Sequence, residues 1–386
     1  MKRYLPNNWT DGMKINKTHF IGEFNAQTQQ QILNNEAFLY PHNYGLLPSI
    51  NQQKNNLLFL NLDNQQMIEL KAIKCNAITS NGIRIAVGDT ENQDLGVQLQ
   101  HEVASLRVGV ESLLDLGEDE FYILLSIDPY NRIPYGDIIT DETPPRHPYT
   151  APSLKLSIIH YRQLVNTGIA NVLPIGKLLV KNNNVSLDDS YIPPCQMVAS
   201  HESLVDILEQ WRVFLSNMEV LSLTIIQKVM QKKQQNELSI PVVQVCESIV
   251  QYISTILDHF NMDGLYYTPS KMISTLAGLA RTINNTFSMY AGSGEEEVFA
   301  YFSEKCGIDQ GLYKKVTAEA CHIHYNHIDC IPSIKAISSF VTTTRQLFEA
   351  LASLDYIGKR KEAGIFVKEE ALTMKKPGRL GTFLAD

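Results

Sequence analysis

Two hydrophobic periodicities divide this chain. Up to about residue 190 the apolar positions alternate with polar ones at strand spacing and are broken by short turns. Segments 57–62 and 67–74 read as paired strands. Segment 77–87 places Ile78, Ile83, Ile85 and Val87 around Asn81-Gly82, the pair favoured in a two-residue type I′ hairpin turn. Further strands are predicted at 98–110, 120–127, 153–161 and 171–181, the last turning back through a polar asparagine run onto 185–188. With no regular helical period between them, these strands favour an antiparallel sandwich or barrel-like sheet over βαβ units.

From Leu204 onward the apolar spacing changes to three and four. One helix carries Leu204, Leu208, Trp211, Leu215, Met218, Ile225 and Val229. A second carries Val242, Val245, Ile249, Tyr252, Ile256 and Phe260, with Pro241 in its first turn. A third follows Pro269 with Met272, Leu276, Leu279, Ile283, Phe287 and Tyr290. A fourth follows Pro332 with Ile334, Ile337, Val341, Leu347, Leu351 and Leu354. Each has about 20 residues and so spans roughly 30 Å, and short connections between them predict a four-helix bundle. Aromatics such as Phe214, Tyr252 and Tyr290 fall off the narrowest seam and suggest more apolar surface than one bundle core needs.

The change of period falls at Tyr191-Ile192-Pro193-Pro194-Cys195. Consecutive prolines fix φ and disfavour helix in the residue before each, which predicts a stiff, extended joint. Glu202 and Ser203 suit the helix start beyond it, without deciding the capping residue. The fold class expected is α+β: a β-rich, sandwich-like domain over 1–200, a four-helix domain over 201–356, and a short tail over 357–386. The tail carries seven Lys/Arg against four Asp/Glu. Residues 7–24, with Trp9, Met13, His19 and Phe20, read as an irregular arm whose aromatics dock on the body. Residues 36–48 read as a bent edge strand or loop. A polar excursion over 291–330 holds Glu295–Glu297, expected as a solvated helix start.

Composition narrows the function classes. A formal charge of −8 over 386 residues argues against nucleic acid as a partner, whose binding face is normally basic. No run approaches the ~18 consecutive apolar residues of a membrane span. The basic N-terminus has no apolar run behind it, so a signal peptide is not expected. Six cysteines without a C-x-x-C spacing read as reduced, mostly buried thiols of a cytoplasmic protein. Phosphate-loop, dinucleotide-binding and nucleophile-elbow motifs are absent, and His101-Glu102 and His201-Glu202 lack a second histidine. No cofactor is expected. Cys321, His322, His324, His327, Asp329 and Cys330 are metal-ligand types, three of them spaced to share a helical face. Pro332 makes one regular helix through all of them improbable, and a capped helix start with buried polar residues is the competing reading. The chain does not read as an enzyme.

Three segments in this order resemble the TssK family of type VI secretion baseplate proteins. Trp9-Thr-Asp-Gly12-Met13-Lys-Ile15-Asn-Lys17-Thr18-His19-Phe20 is similar to the family's W-x-x-G-M-x-L-x-P-Q-H-F-Q, with Lys17, Thr18 and Ile21 departing from it. Tyr40-Pro41-His42-Asn43-Tyr44-Gly45-Leu46 is similar to its aromatic-Gly-Leu segment, and Tyr191–Cys195 is the nearest match. Tyr325-Asn-His327-Ile-Asp329 resembles a Y-D-H-x-D stretch before the last bundle helix, which gives His327 a structural role. The resemblance implies a non-enzymatic, homotrimeric adaptor: a shell domain related to phage receptor-binding proteins, a helical neck and a C-terminal head. It implies that the shell engages the TssF–TssG wedge and the head the inner-membrane complex. Trp9, Gly12, Met13, His19 and Phe20 would then meet the wedge, while Trp211, Leu215, Met218, Ile249, Ile256, Leu276, Ile283 and Leu347 would form the neck and trimer core. About 30 residues follow the fourth helix, fewer than that head needs, so the tail or the 291–330 excursion is expected to meet a different partner. The alternatives are a phage-like receptor-binding protein, or a metal-dependent enzyme built on the Cys321–Cys330 cluster.

Overall fold

In the computed structural model, the residues described are 4–48, 57–63, 67–88, 104–114, 120–163, 171–181, 184–232, 236–355 and 357. The chain opens with a segment laid back along helix α1 (Lys17–Glu36), where an irregular arm was expected. Asn16 caps α1 by accepting from the Thr18 and His19 amides, and the His19 ring accepts from the Asn16 amide in return. Polar contacts hold the arm to this helix: the Asn7 side chain donates to the His19 carbonyl at 2.6 Å, and the Asn7 amide to Glu23 at 3.0 Å. The helix was hidden because its buried side is thin, only Asn25, Ala26 and Ile32.

Among the described residues the strands form three antiparallel sheets, where a sandwich or a barrel-like sheet was expected. The first orders β1 (Gly45–Leu46), β4 (Cys75–Ile78) and β5 (Arg84–Val87) as β1-β4-β5. The second orders β2 (Leu58–Leu62), β3 (Met67–Ala72) and β6 (Ser105–Gly109) as β2-β3-β6. A short helix α2 (Val110–Leu114) follows β6. The third orders β7 (Glu120–Tyr135), β8 (Tyr149–His160), β9 (Val172–Lys181) and β10 (Asn184–Leu187) as β10-β9-β7-β8. β7 is twice as long as its apolar run suggested, because a bulge between Asp128 and Arg132 absorbs Pro129 and lets pairing with β8 resume. Residues 98–103 of the expected sixth strand lie outside the described residues, as does all of the tail except Ile357.

The β4–β5 connection also differs from expectation. Thr79 and Ile83 close a three-residue loop, the Gly82 amide donates to the Thr79 carbonyl, and Gly82 has φ +84. Such a loop needs one left-handed residue at its end instead of the two of a type I′ turn. A Cβ at Gly82 would also stand 2.6 Å from the Ile32 carbonyl oxygen of α1, against which the hairpin tip docks. Gly82→Ala should therefore lower stability by about 1–2 kcal/mol, measured as a shift in urea midpoint at constant slope.

Beyond the strands come α3 (Glu202–Gln231), α4 (Ser239–Asp263), α5 (Pro269–Ser288), α6 (Glu295–Cys306), α7 (Gln310–Cys321) and α8 (Ile331–Ser353). The capping residue of α3 is His201, whose Nδ1 accepts from the Ser203 amide at 3.3 Å. The four long helices expected from periodicity are present, but the excursion between the third and fourth is itself helical. α7 packs against both α5 and α8, so the assembly has more members than a four-helix bundle. Glu295–Glu297 form the first turn of α6, and Gly307 ends it in the left-handed conformation. α3 and α4 are long and apolar enough to cross a membrane by length and composition, although neither contains an unbroken apolar run. Each packs a buried stripe on its neighbours.

Candidate functional site

Residues far apart in sequence meet at the joint between strands and helices. Gly45 and Leu46 pair with β4 on one side and with the Pro194–Cys195 backbone on the other. The Leu46 amide donates to the Pro194 carbonyl at 2.7 Å, and the Gln196 amide donates to the Leu46 carbonyl at 2.9 Å. Gly45, at φ +110, lies so close that a Cβ there would stand 2.0 Å from the Pro194 oxygen. The two prolines hold their own segment extended, and Gly45 lets the facing backbone reach it. Tyr191, Ile192, Pro193, Pro194 and Cys195 are all buried, and the Cys195 thiol donates to the Pro193 carbonyl at 3.2 Å.

The approach to α8 closes over this pairing. His327 is buried, with one ring nitrogen on each of two partners: Nε2 lies 2.9 Å from the Tyr44 carbonyl and Nδ1 2.8 Å from the Tyr325 hydroxyl. A carbonyl can only accept, so Nε2 carries the proton and Nδ1 accepts from Tyr325. Burial, reinforced by the neighbouring His42, lowers the His327 pKa to about 4, against the pull of the Tyr44 carbonyl. The Tyr191 hydroxyl donates to the Ile328 carbonyl at 2.8 Å, and burial pushes its pKa well up. Asp329 receives the Tyr122 hydroxyl at 3.2 Å and stands 3.6 Å from Lys177, which also pairs with Glu120 at 2.8 Å. Burial alone would depress the Lys177 pKa, but Glu120 and Asp329 outweigh it and leave it raised. A cleft of about 510 Å³ opens beside these groups, between Lys177, Asp188, Asp329 and Lys335.

This arrangement leaves the Cys321–Cys330 stretch with a structural part. Both nitrogens of His327 are engaged, His322 ends α7, and Cys330 begins α8. Among the described residues no three His, Cys, Asp or Glu side chains gather where they could hold a metal ion. All six cysteines are free thiols, five of them buried.

The arm residues sit elsewhere, on the outer side of α1. Trp9 packs edge-on to His19 at 6.1 Å and beside Phe20 at 6.5 Å, yet Trp9 remains 46% and Phe20 62% exposed. Met13 and His19 are half-buried, and Gly12 is exposed with φ +77. Ile21, Phe24, Phe38 and Tyr40 continue the exposed apolar surface along the same helix and the turn after it. Sequence reasoning missed Ile21 and Phe24 as surface residues because the helix presenting them was not recognised.

The helical core residues Trp211, Leu215, Met218, Ile249, Leu276, Ile283 and Leu347 are buried within one chain, so they are not free to meet a second copy. Ile256 is only half-buried, because Ile253 takes the inward position on α4. Phe214, Tyr252 and Tyr290 are likewise absorbed. Phe214 is buried, Tyr252 donates to the Thr275 carbonyl at 2.8 Å, and Tyr290 bonds Gln244. Surplus apolar surface lies instead on α3, where Val213, Val220, Leu223 and Met230 are exposed. Val213, Val220, Leu223 and Met230 follow one another at gaps of seven, three and seven, which keeps them on one side of the helix.

No family model and no curated protein matches this chain. Among solved structures it is similar to a TssK crystal structure at 12% identity and TM-score 0.47, covering 89% of this chain and 69% of that one. It is also similar to TssK of the EAEC type VI secretion system bound to a nanobody, at 12% identity and TM-score 0.47, covering 85% and 99%. A third similar structure is TssK in the type VI secretion TssK-TssF-TssG baseplate subcomplex, at 12% identity and TM-score 0.45, covering 88% and 99%. TssK structures are thus structural neighbours of this chain over most of its length.

Proposed function

We propose that this protein is a non-enzymatic structural adaptor of a type VI secretion baseplate, which works as a homotrimer and links a TssF–TssG-like wedge to the membrane complex from the cytoplasmic side. The observation that carries the reading is the meeting of three separated segments that resemble the TssK family. Tyr44–Leu46, Pro194–Cys195 and Tyr325–Asp329 lie in direct mutual contact. In this chain the resembling segments therefore form one built joint instead of scattered short matches. Of the titratable groups there, Tyr122, Lys177, Tyr191, Tyr325, His327 and Asp329 have partners within the fold, while the His42 Nδ1 is buried without one. Pairing of that extent ties strands and helices together and supports a load-transmitting junction.

In this reading the wedge meets the arm, where exposed aromatics and Met13 provide the kind of anchors that dominate interface energetics. The trimer forms through the exposed α3 stripe, with closed symmetry ending its growth. The domain division in this proposal is 1–200, 201–356 and a tail over 357–386. Trp9→Ala with Phe20→Ala should leave the unfolding midpoint and native mass unchanged, since surface substitutions shift stability by about 0.5 kcal/mol or less. Capture of a TssF–TssG wedge on the immobilised protein should fall by about tenfold or more. Undiminished capture by the folded double variant would remove the arm from the interface.

A further inference from the structure

The outer face of α3 changes character along its length. Its first turns expose Glu202, Asp206 and Glu209. From Val213 onward it exposes the apolar stripe of Val213, Val220, Leu223 and Met230, and every exposed position between Val213 and Met230 is uncharged. Steps of three, four and seven keep the acidic residues in line with the stripe on one side of the helix. Read from the C-terminal end of α3, this face is apolar first and acidic afterwards.

The chain itself arrives at that end. Leaving α8 it crosses the end of α3, where Lys228 donates to the Ala352 and Leu354 carbonyls and Lys232 to the Asp355 carbonyl. Asn236, just before α4, donates to the Ile357 carbonyl at 3.1 Å, and Ile357 is buried there. Residues 358–386 thus set out from the end of α3 that carries Met230. After a basic run over 359–361, beside the exposed Glu237, their order matches the α3 face. Apolar Ile365, Phe366, Val367, Leu372 and Met374 come first, and basic Lys375, Lys376 and Arg379 follow. At the 1.5 Å rise of a helix, Val213 lies about 26 Å and Asp206 about 36 Å from Met230. At the same rise Met374 lies about 26 Å and Arg379 about 33 Å beyond Ile357, so the segment reaches both parts of the face.

We propose that residues 358–386 lie along the outer face of their own α3, from Met230 toward Glu202, and restrain assembly by covering the stripe. The competition, though not the contact, rests on the reading of the stripe as the trimer interface. Little intrinsic affinity is needed, because attachment at Ile357 holds the segment at an effective concentration on the order of millimolar. A stripe covered about nine-tenths of the time leaves about a tenth of the chains competent to pair, which weakens each pairing about tenfold. Covering also shields an exposed apolar patch from unspecific association before the trimer forms.

Disulfide trapping tests the contact. The full chain with Val213→Cys and Met374→Cys, oxidised by copper phenanthroline at nanomolar protein, should give a crosslink within one chain, identified by the mass of the linked peptides. Leu312→Cys, exposed on α7, should not trap Met374→Cys. No crosslink to Val213→Cys, equal trapping at Leu312→Cys, or a crosslink only between chains would overturn the contact. Light scattering over a dilution series tests the competition. A chain ending at Ile357 should form trimers at about one-tenth of the concentration or less, and Lys375→Glu with Lys376→Glu and Arg379→Glu should act in the same direction. An unchanged or raised concentration for the shortened chain would overturn the restraint. If every form stays a single chain while the crosslink still forms, the contact stands and the trimeric reading fails.

Discussion

Gly45→Ala should lower the unfolding free energy by about 3 kcal/mol or more, the largest loss expected of any single methyl group added to this fold. The added Cβ would stand 2.0 Å from the Pro194 oxygen, 2.3 Å from its carbonyl carbon and 2.8 Å from the Cys195 nitrogen. All three are backbone atoms of a segment stiffened by two prolines, so no side chain can swing aside. Relief requires separating β1 from the joint, and this breaks the Leu46–Pro194 and Gln196–Leu46 hydrogen bonds as well. The backbone at φ +110 adds its own strain for any residue with a side chain. Chemical denaturation of the purified variant measures the loss. A change below about 1 kcal/mol would mean that the contact between Gly45 and the proline segment is not close in solution.

The second large effect is acid sensitivity through His327. In the unfolded chain this histidine titrates near 6.5, whereas burial lowers its pKa to about 4 in the folded protein. Between those values the unfolded state binds a proton that the folded state refuses. Stability is therefore level above about pH 6.5, declines as the pH falls, and has lost the full contribution below about pH 4. The loss is on the order of 2–4 kcal/mol. Protonation would also turn Nδ1 from acceptor to donor and break the bond from Tyr325. His327→Gln keeps a donor for the Tyr44 carbonyl and an acceptor for Tyr325 but cannot titrate. Its melting temperature should fall less than that of the unaltered chain between pH 6.5 and 4. Parallel curves for the two proteins would show that His327 is not the group responsible.

The parts of the fold that were legible in the sequence are those that local periodicity encodes. Strand alternation placed β2 to β5 and β8 to β10 within a few residues and found the first half of β7, and spacings of three and four placed α3, α4, α5 and α8. What was missed has physical causes. α1 buries too little for an apolar stripe, although Asn16 and His19 at cap spacing were there to be read. α6 and α7 have twelve residues each, too short for periodicity to stand out, yet Gly307 and Asp309 mark the end of one and the start of the next. The Pro193-Pro194 joint was readable as stiff, but nothing local announces that Tyr44 will meet His327, 283 positions away. That pairing comes from tertiary packing, and it explains why His327 resembled a metal ligand. A buried histidine bonded at both nitrogens and a metal-bound one call for the same residue in similar surroundings. The exposed stripe on α3 was obscured for the opposite reason. Its residues continue the apolar spacing of the core, and only the packed structure separates Val220 and Leu223 from Leu215 and Met218.

A trimeric adaptor should reach its full mass in solution before any partner is added. Static light scattering should give three times 43.6 kDa. Val220→Glu with Leu223→Glu should reduce that to a single chain without loss of helical circular dichroism, because those side chains are exposed within one copy. A monomer in the unaltered protein, at concentrations where a baseplate component would work, would contradict the trimeric adaptor and leave the α3 stripe to some other partner.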